Sequence, residues 1–149
     1  MYLLADAYLK TGDKVNARNA FLFCASNNSN KKQKEVSQFS YAKLSYELGY
    51  LDIALTELKA FMQQYPESGN KNEAREIEVS VLANTSNYKE ALVLFDSLPV
   101  KNDNIKKIYP KILYGRAVEE INDGHQDNAL SIFNPVSYTH LTLPTIYSV

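Results

Sequence analysis

Leu4-Ala5-Asp6-Ala7-Tyr8-Leu9-Lys10-Thr11-Gly12-Asp13-Lys14-Val15-Asn16-Ala17-Arg18-Asn19-Ala20-Phe21 carries a helix, a turn and a second helix within eighteen residues. Leu4, Ala5, Tyr8 and Leu9 fall at i, i+1, i+4 and i+5, which predicts an apolar stripe on one helical face. Gly12 can take the left-handed conformation that closes a helix C-terminus. Asp13 is then placed to cap a following helix whose apolar face is Val15, Ala17, Ala20, Phe21 and Cys24.

Working outward, the same plan recurs. Ala17, Ala54, Ala91 and Ala129 are separated by 37, 37 and 38 residues. Four positions after each stands Phe21, Leu58, Phe95 or Phe133, and twelve before each stands Ala5, Ala42, Val79 or Ala117. Five before each lies a helix-stopping residue: Gly12, Gly49, Ser86 or Gly124. Features recurring in phase mark a repeat architecture.

The second unit runs through Phe39, Tyr41, Ala42, Leu44 and Leu48, then Gly49, then Ile53, Ala54, Leu58 and Phe61. In the third, Ile77, Val79, Val81 and Leu82 precede the Ser86-Asn87 break and Ala91, Leu92, Leu94 and Phe95. The fourth passes from Ile112, Leu113, Ala117, Val118 and Ile121 through Gly124 to Ala129, Ile132 and Phe133, with Pro110 expected in the first turn of its first helix. Polar turns are expected over Ser26 to Lys32, Pro66 to Asn72 and Lys101 to Asn104. The alanines let paired helices approach to about 8–10 Å, and the bulky residue one turn on fills the space left. One hairpin buries too little apolar surface alone, so the hairpins must stack.

These residues resemble the tetratricopeptide repeat. Ala5, Tyr8, Gly12, Ala17 and Phe21 match its pattern in order and spacing. Ala42, Gly49, Ala54 and Pro66 match in the second unit, where Ser45 replaces the tyrosine and Leu58 the phenylalanine. Val79, Ala91 and Phe95 match more loosely in the third, and Ala117, Gly124, Ala129 and Phe133 match in the fourth. Departures are the longer period, the longer inter-unit turns and the lack of tryptophan. The resemblance implies an all-α solenoid of about four helix–turn–helix hairpins wound as a right-handed superhelix, with repeats near 1–29, 34–68, 71–100 and 110–134. The run Phe61 to Ser68, with the many Asn, Lys and Tyr residues, is similar to bacterial, Bacteroidota-like envelope proteins of this family. That likeness implies a periplasmic or envelope-associated parent, with a cytoplasmic one as the alternative.

The helical repeat domain is expected over 1–134. Residues 135–149 contain no Asp, Glu, Lys or Arg and are rich in proline and β-branched residues. They resemble translated adapter read-through and are read as a non-native or disordered tail, an ordered β-tail being the alternative. Met1 already falls inside the apolar pattern, so the expectation is an internal piece of a longer repeat protein, with terminal repeats open to self-association.

Charge narrows the classes of partner. Sixteen Lys and Arg nearly balance seventeen Asp and Glu, so no broad positive field draws in nucleic acid. The longest apolar runs, such as Ala91 to Phe95, are far short of the roughly 20 residues a membrane span needs. Cys24 is the one cysteine and sits on an apolar stripe, as a small buried hydrophobe would. His125 and His140 lack partners at metal-ligand spacing, and His125 reads as an exposed turn residue. Glu119 and Glu120 are adjacent on a helix and point apart, unlike a converging acid–base pair. No catalytic, cofactor or metal constellation is visible, so the expectation is a non-enzyme.

The resemblance implies that the first helix of each pair lines a concave, partner-binding face. By repeat phase that face carries Tyr2, Asp6, Leu9 and Lys10 in the first unit and Phe39, Lys43, Tyr46 and Glu47 in the second. It carries Glu76, Ser80 and Asn84 in the third, and Tyr114, Val118 and Ile121 in the fourth. Exposed Phe39, Tyr46 and Tyr114 would suit an extended peptide or a partner helix; the other reading is that these side chains pack against neighbouring repeats. A clamp for a C-terminal carboxylate is disfavoured, because Asp6, Leu9 and Ser80 occupy its basic positions. The expected function is a protein-interaction scaffold. A structural spacer is the alternative, and an RNA-reading repeat a weaker one.

Overall fold

The computed structural model describes residues 1–125 and 127–130, and these are helical with no strand. Seven helices follow in order: α1 (Tyr2–Lys10), α2 (Lys14–Asn27), α3 (Lys31–Glu47), α4 (Leu51–Gln64), α5 (Lys71–Asn84), α6 (Tyr88–Ser97) and α7 (Asp103–Asn122). Residues 127–130 are helical again. Each helix packs against the next in the chain, and α5 also touches α3 and α7. The all-α expectation therefore holds. Ile132, Phe133 and the tail assigned to 135–149 lie outside the described residues.

The turns inside the hairpins share one construction. Gly12, Ser86, Gly49 and Gly124 have φ of +82°, +62°, +89° and +82°. This left-handed residue reverses the backbone so that the next amide reaches back over the helix end. Asp13 N–H donates to the Tyr8 carbonyl at 2.9 Å, Tyr50 to Ser45 at 2.8 Å, Asn87 to Leu82 at 2.8 Å and His125 to Glu120 at 2.7 Å. Two-residue economy follows, because Asp13, Tyr50 and Asn87 are also the N-caps of α2, α4 and α6. Asp13 fills that role fully, its side chain accepting the Asn16 N–H at 3.1 Å. Ser86 is the one turn residue that carries a Cβ against the left-handed preference. Ser86→Gly is expected to stabilise the chain by about 0.5–1 kcal/mol, read as a thermal midpoint raised by about 2–4 °C. An unchanged or lowered midpoint would contradict the strain assigned to that turn.

The small repeat residues sit where helices meet. Ala5, Ala17, Ala42, Ala54, Val79 and Ala91 have no exposed surface, and Ala117 is 1% exposed. Phe21, Leu58 and Phe95 fill the adjoining space and are buried. Burying each such large side chain is worth about 1.5–3 kcal/mol. Arg18 ties the first hairpin to the second: its Nε donates to Ser45 Oγ at 2.7 Å and its Nη2 to Tyr41 Oη at 3.2 Å. Its guanidinium lies 4.8 Å from the Tyr41 ring centre and 4.6 Å from that of Tyr50, within cation–π range.

One boundary differs from expectation. Pro110 is not in the first turn of its helix, because α7 begins at Asp103. Asn102 caps it, accepting the Ile105 N–H at 2.9 Å, and buried Ile105 anchors that turn in the core. Tyr109 stacks on Phe95 with ring centres 4.4 Å apart. These contacts offset the hydrogen bond that Pro110 cannot donate in mid-helix. The fourth unit's first helix thus starts seven residues ahead of the expected 110.

Candidate groove on the first helices of the pairs

The first helices of successive hairpins, α3, α5 and the start of α7, border a groove of about 490 Å³. From α3 come Lys43, Tyr46 and Glu47, and from α5 come Glu73, Glu76, Ile77 and Ser80. Asn102, Asn104 and Ile105 close it at the N-terminus of α7. A smaller hollow of about 200 Å³ lies between α1 and α3, where Leu9 faces Phe39, Ser40, Lys43, Leu44 and Glu47. Lys43 and Glu47 belong to both, so the two hollows adjoin and together touch the first helices of all four hairpins.

Polar bonds join the helices at and beside the groove. Lys43 Nζ meets Glu73 Oε1 at 2.6 Å and so joins α3 to α5. Asn102 Nδ2 donates to Glu76 Oε2 at 2.7 Å, and Lys111 Nζ to Asn84 Oδ1 at 2.8 Å, joining α5 to α7. Lys14 of α2 pairs with Glu47 at 3.2 Å. Each of these pairs is solvent-exposed in part, where an ion pair is worth about 0–1 kcal/mol. Their effect is to hold the rims in register more than to stabilise the fold.

Of the residues expected on a binding face, Lys43, Tyr46, Glu47, Glu76 and Ser80 come together in this groove, and Leu9 and Phe39 border the adjoining hollow. Asn84 lies two turns beyond Ile77 on α5 and is bonded to α7 instead. Tyr114 is 67% exposed and Val118 half-buried, both on α7 outside the groove. Asp6 and Lys10 pair with each other at 2.7 Å on the surface of α1. Two aromatics do not present the faces expected of them. Phe39 is buried, its ring centre 5.4 Å from that of Phe61. Tyr2 packs edge-on against Phe21 at 6.1 Å, within its own hairpin. Each lies where the first helix turns toward its partner helix, and the 37-residue phase alone does not resolve that rotation. Ser80 is buried too, its hydroxyl donating to the Glu76 carbonyl at 3.2 Å.

A second cluster went unread in the sequence. Arg116 pairs with Glu119 at 3.3 Å and also with Glu120. Glu120 is buried, and its second oxygen meets His125 Nδ1 at 3.0 Å and Asn128 Nδ2 at 3.4 Å. Burial pushes the Glu120 carboxyl up, but the His125 and Asn128 hydrogen bonds and the Arg116 charge outweigh it, leaving its pKa below the ordinary value. Glu119 and Glu120 are expected from their adjacency to point apart, but both carboxylates meet the one Arg116 guanidinium. His125 is exposed as expected, but it fastens the turn after α7. The available signal was the i, i+4 spacing of Arg116 and Glu120. On α5, Glu78 is pushed the other way: burial raises it, Lys59 opposes, and Glu90 adds to the rise. Lys59 and Glu90 pair across α4 and α6 at 2.9 Å.

Among the described residues no helix is long and apolar enough to cross a membrane, and no three His, Cys, Asp or Glu side chains gather as metal ligands would. Cys24 is a buried free thiol. No protein-family model matches the chain, and comparisons with curated proteins and with solved structures give no significant match.

Proposed function

We propose that the chain is a protein-interaction scaffold: a tetratricopeptide-type solenoid that holds an extended peptide or a partner helix along the first helices of its hairpins. The groove shared by α3, α5 and α7 is the observation that supports this reading most. It is open, spans three hairpins, and mixes an aromatic ring, aliphatic edges and charged rims, the surface chemistry that peptide-holding grooves use. A bacterial envelope setting is part of the same proposal and rests on the sequence likeness alone.

The test replaces Tyr46 of the groove and Tyr114, the exposed aromatic farther along the first helix of the fourth hairpin, by alanine in the whole chain. Phe39 is left intact because its ring belongs to the core. Crosslinked capture from a bacterial lysate is expected to yield a defined protein with the original chain. The double variant should lose it by about tenfold or more, with helix content unchanged by circular dichroism. Equal capture by a folded double variant would sink the groove reading and turn attention to the spacer role.

A further inference from the structure

We infer that the groove between α3, α5 and α7 receives a basic side chain, lysine or arginine, of an extended peptide, with the Glu76 carboxylate as its counter-ion. This rests on the scaffold reading above and adds the chemistry of the occupant. The argument begins with charge. Three carboxylates, Glu47, Glu73 and Glu76, line the groove against one ammonium, that of Lys43. Lys43 is committed to Glu73 at 2.6 Å, and Glu47 has Lys14 at 3.2 Å. Among the described residues Glu76 has only the neutral Asn102 amide on one oxygen, at 2.7 Å. The groove therefore presents an uncompensated negative charge at a fixed position, held by a hydrogen bond that leaves the other oxygen available.

Shape and polarity agree with that charge. Ile77 and Ile105 are largely buried and back the groove, leaving only their edges as apolar contact for the methylene stem of a long cationic side chain. Tyr46 adds an aromatic ring on the opposite helix, a surface that attracts ammonium and guanidinium groups. An acidic side chain or a C-terminal carboxylate would instead meet the unpaired charge of Glu76, a repulsion that works against such partners. The adjoining hollow between α1 and α3, lined by Leu9, Phe39 and Leu44, can take an apolar side chain of the same segment. The occupant is thus a basic residue with an apolar neighbour, in a segment running across the helices, and not a lone cation.

The test uses the whole chain and a positional-scanning array of short N-acetylated, C-amidated peptides, beside the variants Glu76→Gln and Glu76→Lys. The glutamine can still accept the Asn102 hydrogen bond, so only the charge is removed. With the original chain, one peptide position is expected to select Lys and Arg over Glu and Asp, and that selection should weaken as salt is raised. Glu76→Gln should reduce it about tenfold at unchanged helix content, and Glu76→Lys should turn it toward acidic residues. Peptides bound with no basic preference, or with the same preference in Glu76→Gln, would overturn this assignment while leaving the groove as a binding site. An array that retains no peptide on the original chain would overturn both.

Discussion

A chain carrying Phe39→Ala is expected to lose stability, not merely affinity. Phase counting puts Phe39 beside Lys43 and Tyr46 as a groove aromatic, but its ring is 6% exposed and packs against Phe61. Phe61 in turn lies 5.4 Å from the Tyr65 ring, so the three form a run through the second hairpin. The same core cluster includes Ala74, Ile77 and Val81 of α5. Removing the ring therefore opens a cavity where the second hairpin meets α5. The expected loss is about 3–5 kcal/mol, or a thermal midpoint lower by about 10 °C. Urea unfolding followed by circular dichroism measures it. Tyr46→Ala, at the edge of the same cluster, should cost about 1 kcal/mol. A Phe39→Ala chain that unfolds like the original yet fails to hold a partner would mean the ring belongs to the groove after all.

The contrast between Phe39 and Tyr46 shows what a repeat makes legible. The phase of the small residues locates contacts between helices, because only a short side chain lets two backbones approach. Ala17, Ala54 and Ala91 are accordingly fully buried. The helix stops are legible for a related reason: reversing direction in so few residues needs a left-handed position, and even Ser86, which is not glycine, adopts one. Legibility fades where an outcome depends on the partner surface. Whether an aromatic on the first helix of a pair faces the groove or its own second helix is decided by a rotation of a few tens of degrees, within one step of the 100° between successive residues. Lys43 to Glu73, Asn102 to Glu76 and Arg18 to Tyr41 are side-chain partners from different hairpins, and no local pattern announces them. The start of α7 was hidden for another reason. Pro110 is a strong local signal for a helix start, and the Asn102 cap with the Ile105 and Tyr109 contacts overrides it.

The helix-interior glycine of α7 was also silent in the sequence, and it carries the second large expected effect. Gly115 lacks the positive φ of the turn glycines, so backbone freedom does not explain it. In an ordinary helix interior Gly→Ala gains about 1 kcal/mol. Here an added Cβ would lie 2.5 Å from Cε2 and Cζ of Tyr88 and 2.6 Å from Cδ2. Tyr88 opens α6 directly after the Ser86-Asn87 turn, so its backbone has little room to retreat. Either the ring rotates out of its half-buried seat or α7 withdraws from α6. Overpacking of this kind costs about 1–3 kcal/mol, and Gly115→Ala is expected to destabilise the chain on balance by about 1–2 kcal/mol. With Tyr88→Ala already in place the obstacle is gone, and the same substitution should become stabilising by up to about 1 kcal/mol. The two changes are thus expected to couple by about 2–3 kcal/mol in a double-mutant cycle measured by urea unfolding. A Gly115→Ala chain more stable than the original would show that the Tyr88 ring yields freely, and that α6 and α7 do not owe their approach to this glycine.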